Sequence, residues 1–183
     1  KSNSAVFEKH YGQYADINAD PFIALNTAMT KDGVFIHIAK NAIIEKHIHV
    51  IHVSTSSENT IIHPRNLIVI DENAQAKIIE SFETVATTAK TVSNALTEIV
   101  VDKHAIVDHY QIQDKKELGY LVNTTQVMQQ RQSVFSTHTF TLSGSLVRNN
   151  LTLVLDDEHI ESHLNGLYLT DGNQVVDNHT VVD

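Results

Sequence analysis

The sequence predicts a right-handed parallel β-helix entered through a short helical segment, and three observations carry that expectation. Isoleucine, valine and threonine supply 54 of the 183 residues while leucine supplies 13. Branching at Cβ suits a pleated surface and costs χ1 freedom in a helix. A unit of short apolar strand, polar corner and alternating strand recurs along the chain, as stacked-coil architectures require. Asp-Gly hairpin dipeptides are confined to Asp32-Gly33 and Asp171-Gly172, which disfavours a sandwich of antiparallel hairpins.

The helical segment comes first. Between Ala5 and Leu25, the residues Phe7, Tyr11 and Tyr14 fall at helical offsets, followed by Asp20-Pro21 and then Phe22, Ile23 and Leu25. Asp20 reads as an N-cap and Pro21 as a first-turn residue. One or two short helices are expected within an N-terminal segment of residues 1–28, available as a cap for that end of the stack. The aromatic stripe reads as a core face against the first strands.

The β-helix core follows over residues 29–183. Ile36-His37-Ile38-Ala39-Lys40-Asn41-Ala42-Ile43 is echoed at Ile68, at Ile99 and at Leu153, at intervals of 32, 31 and 54 residues. A weaker copy at Leu121 divides the last gap. The corners are rich in Asp, Asn and Glu, as turn chemistry demands. Equivalent strands of neighbouring coils are expected to pair in parallel, with side chains alternating into one continuous core.

Charge and composition exclude several functions. The formal net charge is −9 with three arginines, whereas a nucleic-acid groove needs clustered Lys and Arg. The longest apolar runs, Phe22–Leu25 and Leu67–Ile70, are four residues each, and a membrane-spanning helix needs about twenty. No membrane insertion is expected and no secretory segment opens the chain, so cytoplasm is the default location. The chain has no cysteine, hence no thiolate nucleophile and no Cys-based zinc site.

Twelve histidines remain. In Lys46-His47-Ile48-His49-Val50-Ile51-His52 a strand puts His47 and His49 on one face and His52 on the other with Ile48 and Val50. These three are the metal candidates, because imidazole suits transition metals. A pair alone falls short of a zinc site's ligand count, so surface histidines are the expected reading. His159 and His163 frame His-Ile-Glu-Ser-His, which departs from the His-Glu-x-x-His order of a zinc protease; a corner residue and a strand residue are expected. Asp177 and His179 lie two apart and can share a strand face. Arg65 and Arg148 each precede an apolar strand and are expected to pair with a carboxylate or with carbonyls of the next coil.

Ordered motifs add a family resemblance. Leu25-Asn26-Thr27-Ala28 with Asp32-Gly33, then Pro64-Arg65-Asn66-Leu67-Ile68-Val69-Ile70, Thr97-Glu98-Ile99-Val100-Val101 and His109-Tyr110-Gln111-Ile112-Gln113 resemble the core domain of the SufB/SufD family of iron–sulfur cluster assembly proteins. The last third is most similar: Gly144-Ser145-Leu146-Val147-Arg148-Asn149-Asn150-Leu151, Leu164-Asn165-Gly166-Leu167-Tyr168 and Val176-Asp177-Asn178-His179-Thr180, a tail that looks SufD-like. The resemblance implies a β-helix core from a non-catalytic scaffold subunit that pairs with SufB and engages the SufC ATPase. It also implies a core truncated at its C-terminal end. The family's Cys- and His-bearing segment and its helical tail lie beyond Asp183, so the residues that would meet a transient iron–sulfur cluster are expected outside this stretch.

Two rivals stand beside that reading. A β-helix carbohydrate-active enzyme needs clustered carboxylates, and Asp156-Asp157-Glu158 at a corner diverge. A His-rich cupin-like metal protein needs a His pair followed by a converging Glu and His, and Glu58 trails His49 by nine residues. The expected partner surface is Val176, Asp177, Asn178, His179 and Val181 in the strand around Gln174 to Val182, with a homodimer forming in isolation. No catalytic residue and no resident cofactor are expected.

Overall fold

In the computed structural model, residues 4–85, 88–115 and 118–183 are described. Two short helices open the chain, α1 (Ser4–His10) and α2 (Pro21–Met29). The Asp20 carboxylate caps α2 by accepting from Phe22 N at 2.6 Å, and Pro21 fills the first turn, as the sequence predicts. Among the described residues twelve strands follow: β1 (Phe35–Ile38), β2 (Ile48–Ser54), β3 (Thr60–Ile62), β4 (Arg65–Ile70), β5 (Gln75–Thr84), β6 (Thr91–Val101), β7 (Ile106–Asp114), β8 (Gly119–Gln129), β9 (Val134–Ser143), β10 (Leu146–Leu155), β11 (Glu161–Tyr168) and β12 (Val175–Val182).

The strands form a parallel β-solenoid of about five turns. One sheet runs β1-β4-β6-β8-β10-β12 with β3 also against β6; the other runs β11-β9-β7-β5-β2. Every pairing between these strands is parallel, which removes both the antiparallel sandwich and the antiparallel cupin barrel. Pro64 has no N–H for the ladder and divides β3 from β4, though its carbonyl still accepts from Leu96 N.

The register aligns Ile36, Ile68, Ile99, Val127 and Leu153 in one inward column. The fourth repeat therefore sits at Val127, six residues beyond the Leu121 expected from the sequence. Asn123-Thr124-Thr125 imitates a corner, yet it lies inside the eleven-residue β8. The real corner, Gln130-Arg131-Gln132, lacks Asp and Asn.

All five corners from the first sheet to the second use one left-handed residue: Asn41, Asn73, His104, Gln132 and His159, at φ 63°, 59°, 59°, 55° and 59°. The peptide after it closes a four-residue turn, as in Ala74 N to Asp71 O at 3.1 Å and Ser133 N to Gln130 O at 3.1 Å. The left-handed residue itself donates to the next coil, as in Gln132 N to Glu158 O at 3.1 Å. Asparagine and histidine tolerate this conformation better than glutamine. Gln132→Gly removes a left-handed cost of roughly 1–2 kcal/mol and adds unfolded-chain entropy of roughly 0.5–1 kcal/mol. A net gain of about 0.5–1 kcal/mol in urea unfolding is the expected result; a loss of stability would show that the Gln132 side chain contributes at the corner.

Inward side chains sort into zones. The main apolar cluster lines the corner just described, with Ile68, Ile70, Ile78, Ile99, Val107, Val127, Phe135 and Leu153 all buried. A smaller cluster of Phe82, Ala95, Leu121 and Val147 lies elsewhere in the core. The helical segment packs on the outer face of the first sheet. Phe7, Tyr11 and Tyr14 pack against Leu67, Val69 and Val100, and Ile23 and Ala15 against Leu96, so the aromatic stripe is a core face. Among the described residues no helix is long and apolar enough to cross a membrane.

Candidate functional site

A polar belt occupies the solenoid interior. Glu80, buried on β5, is its anchor. Its Oε1 accepts from Asn66 Nδ2 at 2.7 Å, its Oε2 meets His109 Nε2 at 2.8 Å, and the Thr97 hydroxyl lies 3.3 Å from Oε1. His52 Nε2 stands 3.6 Å from Oε1. Burial pushes the Glu80 carboxyl up. The hydrogen bonds and charge of His109 and His52 outweigh that and hold it well below the usual carboxylate range. Among the described residues His109 Nδ1 has no hydrogen-bond partner.

The belt continues coil by coil. Gln111 Nε2 donates to Thr125 Oγ1 at 3.1 Å and its amide oxygen accepts from Thr139 at 3.2 Å. Gln113 bridges Asn149 and Thr141, each at 2.7 Å, and Asn149 Nδ2 reaches Asn178 Oδ1 at 2.9 Å. Amide and hydroxyl partners recurring on successive coils lock the stacking register, because a one-residue slip would orphan all of them. Lys115 is also buried, with Nζ on Ser93 Oγ at 3.0 Å, and burial lowers its pKa to about 8.

A second polar centre lies outside the sheet, under the helical segment. Glu98 accepts from the backbone N–H groups of Gly12 (2.9 Å), Tyr14 (2.9 Å) and Ala15 (3.1 Å) and from Arg65 at 2.9 Å. The Arg65 guanidinium also donates to Thr27 Oγ1 at 2.6 Å and lies 5.0 Å from the Tyr11 ring centroid. Gly33 is required beside it, since a Cβ there would stand 1.8 Å from the Arg65 carbonyl oxygen.

The structure separates the histidine candidates as the strand alternation predicts. His47 and His49 face outward, His49 toward Ser81 Oγ at 3.0 Å, while His52 points inward and stacks on Phe82 at 4.6 Å. Among the described residues no three His, Asp or Glu side chains converge as a metal site needs. His159 occupies a corner; His163 sits on β11, bonded to Glu161 at 2.7 Å. Asp156 accepts from Gln130 of the neighbouring coil's corner at 3.0 Å and Asp157 accepts from the Glu158 amide of its own corner at 2.8 Å, so these two acids are spent on corner structure.

On β12 the expected partner residues divide by face. Val176 packs into the smaller interior cluster and Asn178 joins the belt. Asp177, His179 and Val181 alternate to the outer face, where Arg148 donates to Asp177 at 3.0 Å. No hydrogen bond links Asp177 to His179 among the described residues. Sequence reading gave Glu80, His109 and Glu98 no role of their own, although Glu98 and His109 stand within the family motifs. The local signal is a polar residue at an apolar-alternating position, as in Ala76-x-Ile78-x-Glu80-x-Phe82.

Comparison with known proteins follows the same outline as the solenoid. Residues 52–183 match the model described as "SUF system FeS cluster assembly, SufBD core domain", and residues 1–50 match "SufBD protein N-terminal region". The chain is 28% identical over 181 residues to a SufBD family iron–sulfur cluster assembly protein of Synechocystis, covering 94% of this chain and 40% of that protein. Over 114 residues it is 30% identical to a SufBD family protein of Staphylococcus aureus and 28% identical to the iron–sulfur cluster assembly protein SufB of Bacillus subtilis. Each of these two alignments covers 62% of this chain and 24% of the relative. The similarity reaches the family as a whole and does not divide it between SufB and SufD.

Proposed function

The chain belongs to the SufBD family of iron–sulfur cluster assembly proteins, and on that premise we propose that it is a non-catalytic, SufD-like scaffold subunit working in the cytoplasm. It pairs with a SufB-type partner and, within the intact complex, engages a SufC-type ATPase. The carrying observation is the core-domain match over 132 residues (52–183) laid on an unbroken stack of parallel coils. The polar groups of the interior support it, because they spend their hydrogen bonds inside the solenoid: Glu80 with Asn66 and His109, Gln111 with Thr125 and Thr139, and Gln113 with Asn149. An iron–sulfur cluster is cargo in this reading. The chain has no cysteine and among the described residues no group of three His, Asp or Glu side chains could hold a metal ion, so no step is assigned to the cluster here.

The pairing surface is the outer face of β10 and β12, with Asp177, His179 and Val181 at its centre and Arg148 bonded to Asp177. Val176 and Asn178 support it from inside. In isolation a second copy takes the SufB-type partner's place. The test is size-exclusion chromatography with light scattering, on the chain alone and mixed with SufB-type and SufC-type subunits. A dimer alone and co-elution in the mixture are expected, both weakened at least tenfold by Val181→Lys. A monomer that ignores both subunits overturns the reading, as does ATP hydrolysis or glycan cleavage by the chain alone.

A further inference from the structure

One ring nitrogen in the interior faces a donor and an acceptor at once. His52 Nε2 lies 3.3 Å from Asn66 Nδ2 and 3.6 Å from Glu80 Oε1. The Asn66 amide cannot be reversed without loss, because its Oδ1 accepts from Val34 N at 3.0 Å and its Nδ2 donates to Glu80 at 2.7 Å. Its second amide proton is shared between Thr97 Oγ1 at 3.2 Å and His52. A neutral His52 therefore accepts from Asn66 with its own proton on Nδ1. A doubly protonated His52 turns Nε2 into a donor, which suits Glu80 and repels the Asn66 amide.

The ring has access to protons. It lines a cleft of about 750 Å³ between α2, β2 and β3, walled by Leu25, Met29, Val50 and Ile61. Stacking on Phe82 at 4.6 Å and 11° fixes the ring plane, so the change of partner needs only a small slide. The charged and titratable groups around it come from several elements. Glu80 of β5 lies directly opposite, with His109 of β7 behind that carboxylate. Lys31, Asp32 and His63 line the same cleft. His63 accepts from Asn94 at 3.3 Å through Nδ1, and burial lowers its pKa. Asn66 and Thr97, on β4 and β6, carry no charge.

We propose that His52 is a proton-operated latch between β2 and β5 at this cleft. Doubly protonated, the ring is drawn onto Glu80 and holds β2 against β5. Neutral, the ring returns to Asn66 and the cleft wall loosens. Edge strand β2, paired only to β5 in its sheet, is the element that moves.

Ring ¹⁵N NMR and amide hydrogen exchange on the 183-residue chain test this together. At pH 8 the His52 proton is expected on Nδ1. Protection of the Ile48–Ser54 amides, corrected for intrinsic rates, is expected to rise at least threefold from pH 8 to pH 5.5. His52→Gln is expected to flatten that rise, and Glu80→Gln to do the same where it folds. A proton on Nε2 of His52 at pH 8, or an undiminished rise in His52→Gln, overturns the latch.

Discussion

Glu98→Ala is expected to cost about 3–5 kcal/mol of folding stability, the range for breaking one partner of a buried ion pair. The carboxylate gathers three backbone N–H groups of residues 12–15 and the Arg65 guanidinium, all within 3.1 Å. Its removal leaves Arg65 charged and buried, with only Thr27 Oγ1 and the Tyr11 ring for company. It also orphans the turn that carries the chain from α1 to α2. Unfolding in urea measures the loss. Limited proteolysis localises it, with cleavage within residues 5–20 preceding cleavage of the solenoid. Arg65→Met with Glu98→Leu removes both charges and should recover more than half the loss, since neither is then buried alone. A Glu98→Ala protein within 1 kcal/mol of the parent, with its helical segment still protected, would show that aromatic packing of Phe7 and Tyr11 alone secures the segment.

Much of this architecture was legible because the solenoid repeats one local solution. Asp71-Glu72-Asn73-Ala74 and Asp102-Lys103-His104-Ala105 announce their corners by composition, and the Ile36, Ile68 and Ile99 columns fall in register as spaced. Gln130-Arg131-Gln132 does not announce itself, because a backbone-driven turn imposes its φ on whatever residue arrives there. The opposite error is available too: Asn165-Gly166 is a hairpin dipeptide by sequence, yet it lies inside β11, paired in parallel with His138-Thr139. Sequence also sets the alternation that sends His49 outward and His52 inward. It does not say which distant residue a buried polar group will find as its partner. Glu80 meets His109 across neighbouring coils 29 residues apart, and Glu98 meets Gly12 at a separation of 86. Such pairs depend on how far each coil advances, a property of corner lengths rather than of local pattern. The strand around Gln174 to Val182 was legible as a strand, whereas the division of its residues into inward Val176 and Asn178 and outward Asp177, His179 and Val181 follows from register.

The second large effect belongs to Glu80. Glu80→Ala deletes the acceptor shared by Asn66, Thr97 and His109 inside the solenoid. Each buried donor left unmet costs roughly 1–3 kcal/mol, so a loss of about 3–5 kcal/mol is expected once water enters the space. Glu80→Gln keeps the shape and the Asn66 contact in part, and it isolates the charge. The folded-state pKa of Glu80 lies below its ordinary value of 4.5. The stabilisation it brings is therefore fully present above that value and is lost as pH falls from there toward the depressed folded value, because protonation then favours the unfolded chain. Wild-type stability should decline steeply below about pH 4.5, and Glu80→Gln should decline less over the same interval while being weaker at pH 7. Urea midpoints at pH 7, 5, 4 and 3 for both proteins decide the matter. Parallel curves would place the acid sensitivity on other carboxylates and show that the His52 and His109 imidazoles do not hold Glu80 in its charged form. A shallower Glu80→Gln curve would fix this one interior carboxylate as a principal acid-labile point of the stacked coils.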